Sequence, residues 1–131
     1  MTTLTPAISS SPFAPHTSTE AVVNHHLQAF AAGDLLGVVA DYAADAVMIV
    51  PTGVLRGVDA ITPLFKTLIA EFAKPGARFD LQQQVIEADV AYIRWVAETA
   101  DNTYELGTDT FIVRNGKILT QTFAFKATPK A

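Results

Sequence analysis

Cysteine is absent from the 131-residue chain. Disulfides, thiolate catalysis and cysteine-based metal sites are thereby excluded, and a reducing compartment is permitted. Charge is scarce too: Asp, Glu, Lys and Arg make up 17% of the residues, against about 25% in an average globular domain. Nine basic residues face thirteen acidic ones, a net charge of −4, and the basic ones are scattered singly. Nothing here can follow a phosphate backbone, so a nucleic-acid partner is not expected. No apolar run approaches the ~18 residues of a membrane span, so no membrane partner is expected either. The first seventeen residues lack the basic cluster and apolar stretch of a signal peptide, and a cytoplasmic protein is the expectation. Serine occurs only in the N-terminal region, which leaves no Ser-based triad inside the fold. What is plentiful is apolar: 50% of the residues. That excludes a disordered chain and exceeds what one small monomer buries, so a homodimer is expected.

The length fits one domain. Residues 1–17, rich in Ser, Thr and Pro, read as a flexible tail, and 18–127 as the single domain. Thr17 and Glu20 have capping-box spacing ahead of Val23, Leu27, Phe30 and Ala31, which recur at helical intervals until Gly33. Asp34 can cap a short second helix with Leu35, Val38, Val39 and Tyr42 for burial. Ala46–Val50 suits a strand, broken by Pro51-Thr52-Gly53 and returned antiparallel by Val54–Arg56. A third helix starts near Val58 or Asp59, carries Ile61, Leu64, Phe65, Leu68, Ile69 and Phe72, and stops at Lys74-Pro75-Gly76. Residues 77–87, 90–100, 103–114 and 117–126 then form four strands. Asn115-Gly116 is a strong type I′ hairpin signal, so Arg114-Asn115-Gly116-Lys117 is a turn and not a phosphate loop. Strands of this length must coil or kink. The simplest arrangement is a curved sheet wrapped over the helices, class α+β.

Period-two alternation assigns the faces. Glu105, Gly107, Asp109, Phe111 and Val113 share one side, with Ile93, Trp95 and Ala97, and with Leu119, Gln121, Phe123 and Phe125; Tyr104 and Leu106 fall on the other. The Phe/Trp faces are taken as concave. Asp109 and Gln121 then stand among Trp95, Phe111, Phe123 and Phe125. A carboxylate there is costly unless paired, and its pKa should rise. A bulge-bound Asp109 that only holds the sheet, and a Gln121 that is simply a satisfied core amide, fit the pattern as well. His26 lies on the apolar stripe of the first helix, where a packed core histidine is the ordinary reading. His25 is about 100° away around the helix and His16 lies in the tail, so no metal site is expected. Asp34, Asp41, Asp45 and Asp59 fall at helix ends or turns, as capping residues do.

Leu27-Gln28-Ala29-Phe30-Ala31-Ala32-Gly33-Asp34-Leu35 followed by Tyr42-Ala43-Ala44-Asp45-Ala46-Val47 resembles the opening of the nuclear transport factor 2-like superfamily. That group includes ketosteroid isomerase and the SnoaL-like polyketide cyclases. Gly57 with Asp59-Ala60-Ile61, then Asp109-Thr110-Phe111 and Asn115-Gly116-Lys117-Ile118, fit the same pattern over about residues 18–126. The resemblance implies a cone: a strongly curved antiparallel sheet wrapped around three helices. A pocket lined by the first and third helices would lie within it, with a dimer formed through the sheet's outer side. The isomerases' base position matches Val50, their oxyanion-hole Tyr matches His26, a supporting Tyr matches Phe65, and their late-strand Asp is kept as Asp109.

What this leaves is a His26–Asp109 pair across an apolar pocket. Three readings stand side by side, because a shared fold does not rank them. One is cofactor-independent acid/base chemistry, of isomerase, cyclase or dehydratase type, on a small hydrophobic carbonyl or cyclic compound. Asp109 would then be acid/base or hydrogen-bond donor and His26 its partner. Trp95, Phe111, Gln121, Phe123, Met48, Val50, Tyr42, Phe30, Leu64 and Phe65 would line the pocket. The second is a ligand-binding module without chemistry, and the third a dimerisation unit with a filled cone.

Overall fold

The computed structural model describes residues 18–131. The expected tail and the Thr17 cap lie outside the described residues. Helix α1 (Thr19–Ala31) starts instead on Ser18, whose hydroxyl accepts from the Ala21 amide at 3.0 Å. Asp34 caps α2 (Leu35–Val39) through the Gly37 amide. Next come β1 (Tyr42–Val50), β2 (Gly53–Arg56) and α3 (Val58–Ala73). Four strands close the chain: β3 (Arg78–Glu87), β4 (Val90–Glu98), β5 (Asn102–Arg114) and β6 (Lys117–Pro129). Asn115 and Gly116 both have positive φ, 52° and 76°, as the tight turn between β5 and β6 requires.

All six strands form one curved, unclosed sheet in the order β2-β1-β6-β5-β4-β3. Every neighbouring pair is antiparallel except β1 and β6, which run parallel with Met48 opposite Gln121. The β1–β2 hairpin therefore extends the sheet. Tyr42, expected on the second helix, opens β1, because α2 ends at Val39 and the backbone carbonyl of Asp41 directs the chain into the sheet by accepting from the Ile118 amide at 2.8 Å.

The long strands bend at bulges. Register shifts fall between Leu81 and Gln83, between Trp95 and Ala97, between Tyr104 and Leu106, and between Ile112 and Val113. Two of them change a side chain's face. Tyr104, expected outward, turns inward and is 4% exposed. Ile118 takes the buried place expected of Leu119. Phe125 lies beyond Asp109, opposite Gly107, and is 41% exposed. The core fills the space between the concave face and the helices, with Val23, Met48, Ile61 and Phe111 among its fully buried members. None of the helices among the described residues is long and apolar enough to cross a membrane.

Candidate functional site

A small cavity of about 60 Å³ lies between the concave face of β3–β6 and helices α1 and α3. Eight of the residues expected at the site line it: His26, Phe30, Phe65, Trp95, Asp109, Phe111, Gln121 and Phe123. Four do not. Met48 belongs wholly to the core, Val50 ends β1 at the turn to β2, and Leu64 gives way to Leu68 one turn later on α3. Tyr42 stands behind the wall and reaches the cavity residues through its hydroxyl. The alternation pattern missed Tyr104, brought inward by a bulge, and Phe79, whose strand was recognised without its inward face being assigned. Half-buried Phe30, Leu68, Phe72 and Phe79 mark the opening, and Phe30 and Phe72 meet edge-on across it at 5.2 Å. The polar groups lie at the buried end.

There the hydrogen bonds form one chain. The Trp95 indole N–H donates to Asp109 Oδ1 at 2.7 Å, and Gln121 Nε2 donates to Asp109 Oδ2 at 2.8 Å. Gln121 Oε1 in turn accepts from the Tyr42 hydroxyl. His26 Nε2 stands 3.5 Å from that hydroxyl. His26 and Asp109 share the cavity, therefore, but their link runs through Tyr42 and Gln121. Strand register explains the assembly: Asp109 pairs across β4 with Ile93 and across β6 with Phe123, which sets Trp95 and Gln121 on diagonal neighbours of the same face.

Burial raises the Asp109 pKa from 3.8 to about 6, against the opposing pull of the Trp95 and Gln121 donors and of nearby His26. Burial, with the Asp109 and Asp41 carboxylates, pushes the Tyr42 phenol well above its usual range, so it stays a neutral donor. His26 is held among rings, edge-on to Tyr42, Phe65 and Phe111 at 5.5, 5.5 and 5.6 Å.

Asp41 does more than end a helix. Only 8% exposed, it accepts from His25 Nδ1 at 2.9 Å and lies 3.7 Å from His26 Nδ1. Its place beside two histidines depends on the β1–β6 pairing, which no local pattern announces. Among the described residues no group of three or more His, Asp or Glu side chains is placed to hold a metal ion.

The SnoaL-like domain model matches residues 23–121. Among curated proteins, no sequence matches significantly. Solved structures share the architecture. One is an NTF2-like protein of unknown function from Mesorhizobium loti, 25% identical, with a TM-score of 0.70 over 82% of this chain and 90% of that one. A candidate ketosteroid isomerase from Kribbella flavida is 13% identical, with a TM-score of 0.68 over 86% and 81%. A candidate polyketide cyclase from Sinorhizobium meliloti is 20% identical, with a TM-score of 0.63 over 78% and 92%. With the match spanning most of the chain and the curved sheet packed on three helices, the protein belongs to the SnoaL-like family of the nuclear transport factor 2-like superfamily.

Proposed function

We propose that the protein performs cofactor-independent acid/base chemistry on a small hydrophobic carbonyl or cyclic compound, with Asp109 as the base. The observation that carries this reading is a buried carboxyl in the lining of an aromatic cavity, where burial pushes its pKa up to about 6. A base with that pKa is mostly ionised at pH 7 and still basic enough to take a proton from carbon next to a carbonyl. Both Asp109 oxygens accept N–H bonds, which favours the acceptor role over that of donor to an oxyanion. The carboxylate would take a proton from the substrate carbon and become a carboxylic acid. It would then return the proton at a second position, completing an isomerisation, or to the oxygen of a carbonyl attacked by the new carbanion, completing a cyclisation. In this reading His26, buried in the lining, would donate to a ligand oxygen. The cavity lining holds no Lys or Arg, which suits an uncharged ligand.

The second reading is ligand binding without chemistry. Val50 favours it: the position matching the isomerases' base carries no carboxylate and lies outside the cavity lining. A homodimer in the cytoplasm is part of either proposal.

The test uses Trp95, the sole tryptophan, which lies in the cavity wall. Fused-ring ketones, terpenoids and aromatic polyketides are titrated against its emission, and each binder is assayed for conversion. Under the catalytic reading Asp109→Asn binds within several-fold of the parent and loses turnover by at least ~100-fold, and the parent's rate falls below pH 6. Equal turnover by Asp109→Asn would end that reading. Saturable binding with no conversion by the parent would leave the binding module.

A further inference from the structure

Gly107 lies within β5 and is not among the glycines with positive φ, so its lack of a side chain is not explained by a turn or a left-handed conformation. What it accommodates is Trp95. The two are register partners across β4 and β5, and a Cβ built on Gly107 would fall 2.2 Å from Trp95 Cε2 and Cζ2. The clash is with the rigid bicyclic part of the indole, which cannot bend aside. The ring is further fixed by Phe79 at 5.2 Å, Tyr104 at 5.7 Å and Phe123 at 6.3 Å. In this seat its N–H reaches Asp109 Oδ1.

We propose that Gly107 is a positioning residue: its bare Cα is the shelf on which the Trp95 indole lies so that the indole N–H holds the Asp109 carboxylate. The proposal rests on the reading of Asp109 as the base only for its consequence in turnover. The geometry itself is open to test without a substrate. Any side chain at Gly107 lifts the indole and removes a donor to the charged form of Asp109. The carboxyl should then titrate higher, and the base should be less ionised at neutral pH.

The titratable groups around the pair are His26 on α1, Tyr42 on β1, and Tyr104 on β5, whose hydroxyl is bonded to Glu71 of α3. Asp41 lies beyond His26. A direct probe of each partner is therefore needed. The indole N–H gives one nitrogen–proton cross-peak, since Trp95 is the only tryptophan. The Asp109 carboxyl is followed by carbon-13 NMR in aspartate-labelled protein, assigned by its loss in Asp109→Asn.

In the parent the indole peak should follow the Asp109 titration, with a midpoint near 6. It should not titrate in Asp109→Asn. Gly107→Ala should detach the two: the indole peak stops following the carboxyl, and the Asp109 midpoint rises by roughly one pH unit, the worth of one hydrogen bond to a charged group. Trp95→Phe, which adds no volume, should raise the midpoint similarly, and Gly107→Ala in that background should add little. An unchanged indole peak and midpoint in a folded Gly107→Ala would overturn the proposal. Should that variant not fold, an unchanged midpoint in Trp95→Phe would overturn it equally. Loss of the base assignment alone, by full turnover in Asp109→Asn, would leave these titrations as they are.

Discussion

Asp109 keeps 7% of its surface and receives two N–H bonds, yet burial still lifts its pKa from 3.8 to about 6. The donors reduce the cost of ionisation without cancelling it, and the sign of the consequence is fixed. A carboxyl with a raised pKa in the folded state contributes stability that is complete below about pH 4. That contribution is lost as the pH rises to about 6 and beyond. The span between 3.8 and about 6 corresponds to about 3 kcal/mol. Asp109→Asn removes the charge in nearly the same shape. The amide of Gln121 can turn over to accept from the new Asn, and the Tyr42 hydroxyl can then point toward His26 Nε2, so the chain reverses direction without leaving an orphan. The variant should therefore be more stable than the parent at pH 8, by up to about 3 kcal/mol. The advantage should fade toward pH 4, as read from urea unfolding at a series of pH values. A constant difference between parent and variant across that range would mean that Asp109 does not titrate where its burial places it. Asp109 itself was legible in the sequence, because alternation sets its carboxylate among Trp95, Phe111 and Phe123, where a charge stands out. Its partners were legible only in part: Trp95 and Gln121 fell on the same face, whereas the Tyr42 link needed the parallel β1–β6 pairing.

At the scale of elements, one carboxylate joins the end of α3 to the β4–β5 turn. Glu71 accepts from the hydroxyls of Thr99 at 2.6 Å and Tyr104 at 3.0 Å, and from Asn102 Nδ2 at 2.9 Å. Thr99 is fully buried and Tyr104 nearly so, so removing Glu71 orphans donors that water reaches poorly. Burial and the Glu71 charge together push the Tyr104 phenol well up, which keeps it a donor. Phe72, beside Glu71, stacks on Tyr104 at 5.9 Å, so the same clasp steadies the aromatic wall near the cavity opening. Glu71→Ala should cost about 2 kcal/mol in urea unfolding and weaken any cavity ligand. Glu71→Gln, which keeps an acceptor, should cost less. A Glu71→Ala protein as stable as the parent would show that the clasp is replaced by water. Glu71 escaped notice in the sequence as one polar position near the end of an amphipathic helix, and Tyr104 was assigned to the wrong face. The second miss has a local cause. Alternation holds only while a strand stays in register, and the bulge between Tyr104 and Leu106 breaks it at Glu105-Leu106, just ahead of Gly107. The helices, by contrast, were readable because their caps and apolar periods are local. So was the Asn115-Gly116 turn.

For the whole molecule, the low charge content acquires a location. Ile49, Val54, Val85, Val90 and Leu106 are each between 39% and 47% exposed. Each adjoins or pairs with residues whose alternation places it on the side of the sheet away from the helices: Met48 and Gly107 are buried where Ile49 and Leu106 are not. The concave face is occupied by the helices and the cavity, so we propose the convex face as the surface that meets a second copy of the chain. A face-to-face dimer would also leave both cavity openings clear, since they lie on the opposite side. Sedimentation should therefore give twice the monomer mass of 14.0 kDa at micromolar concentration. Leu106→Lys places a charge in the face without touching the Asp109 chain, and it should shift the protein toward monomer with its unfolding midpoint little changed. A parent that sediments as a monomer at every concentration would remove the dimer and leave the exposed apolar face to some other partner. A Leu106→Lys protein that stays dimeric would instead move the interface off the convex sheet, to the exposed Leu36 on α2, which is 81% accessible and lies outside this face.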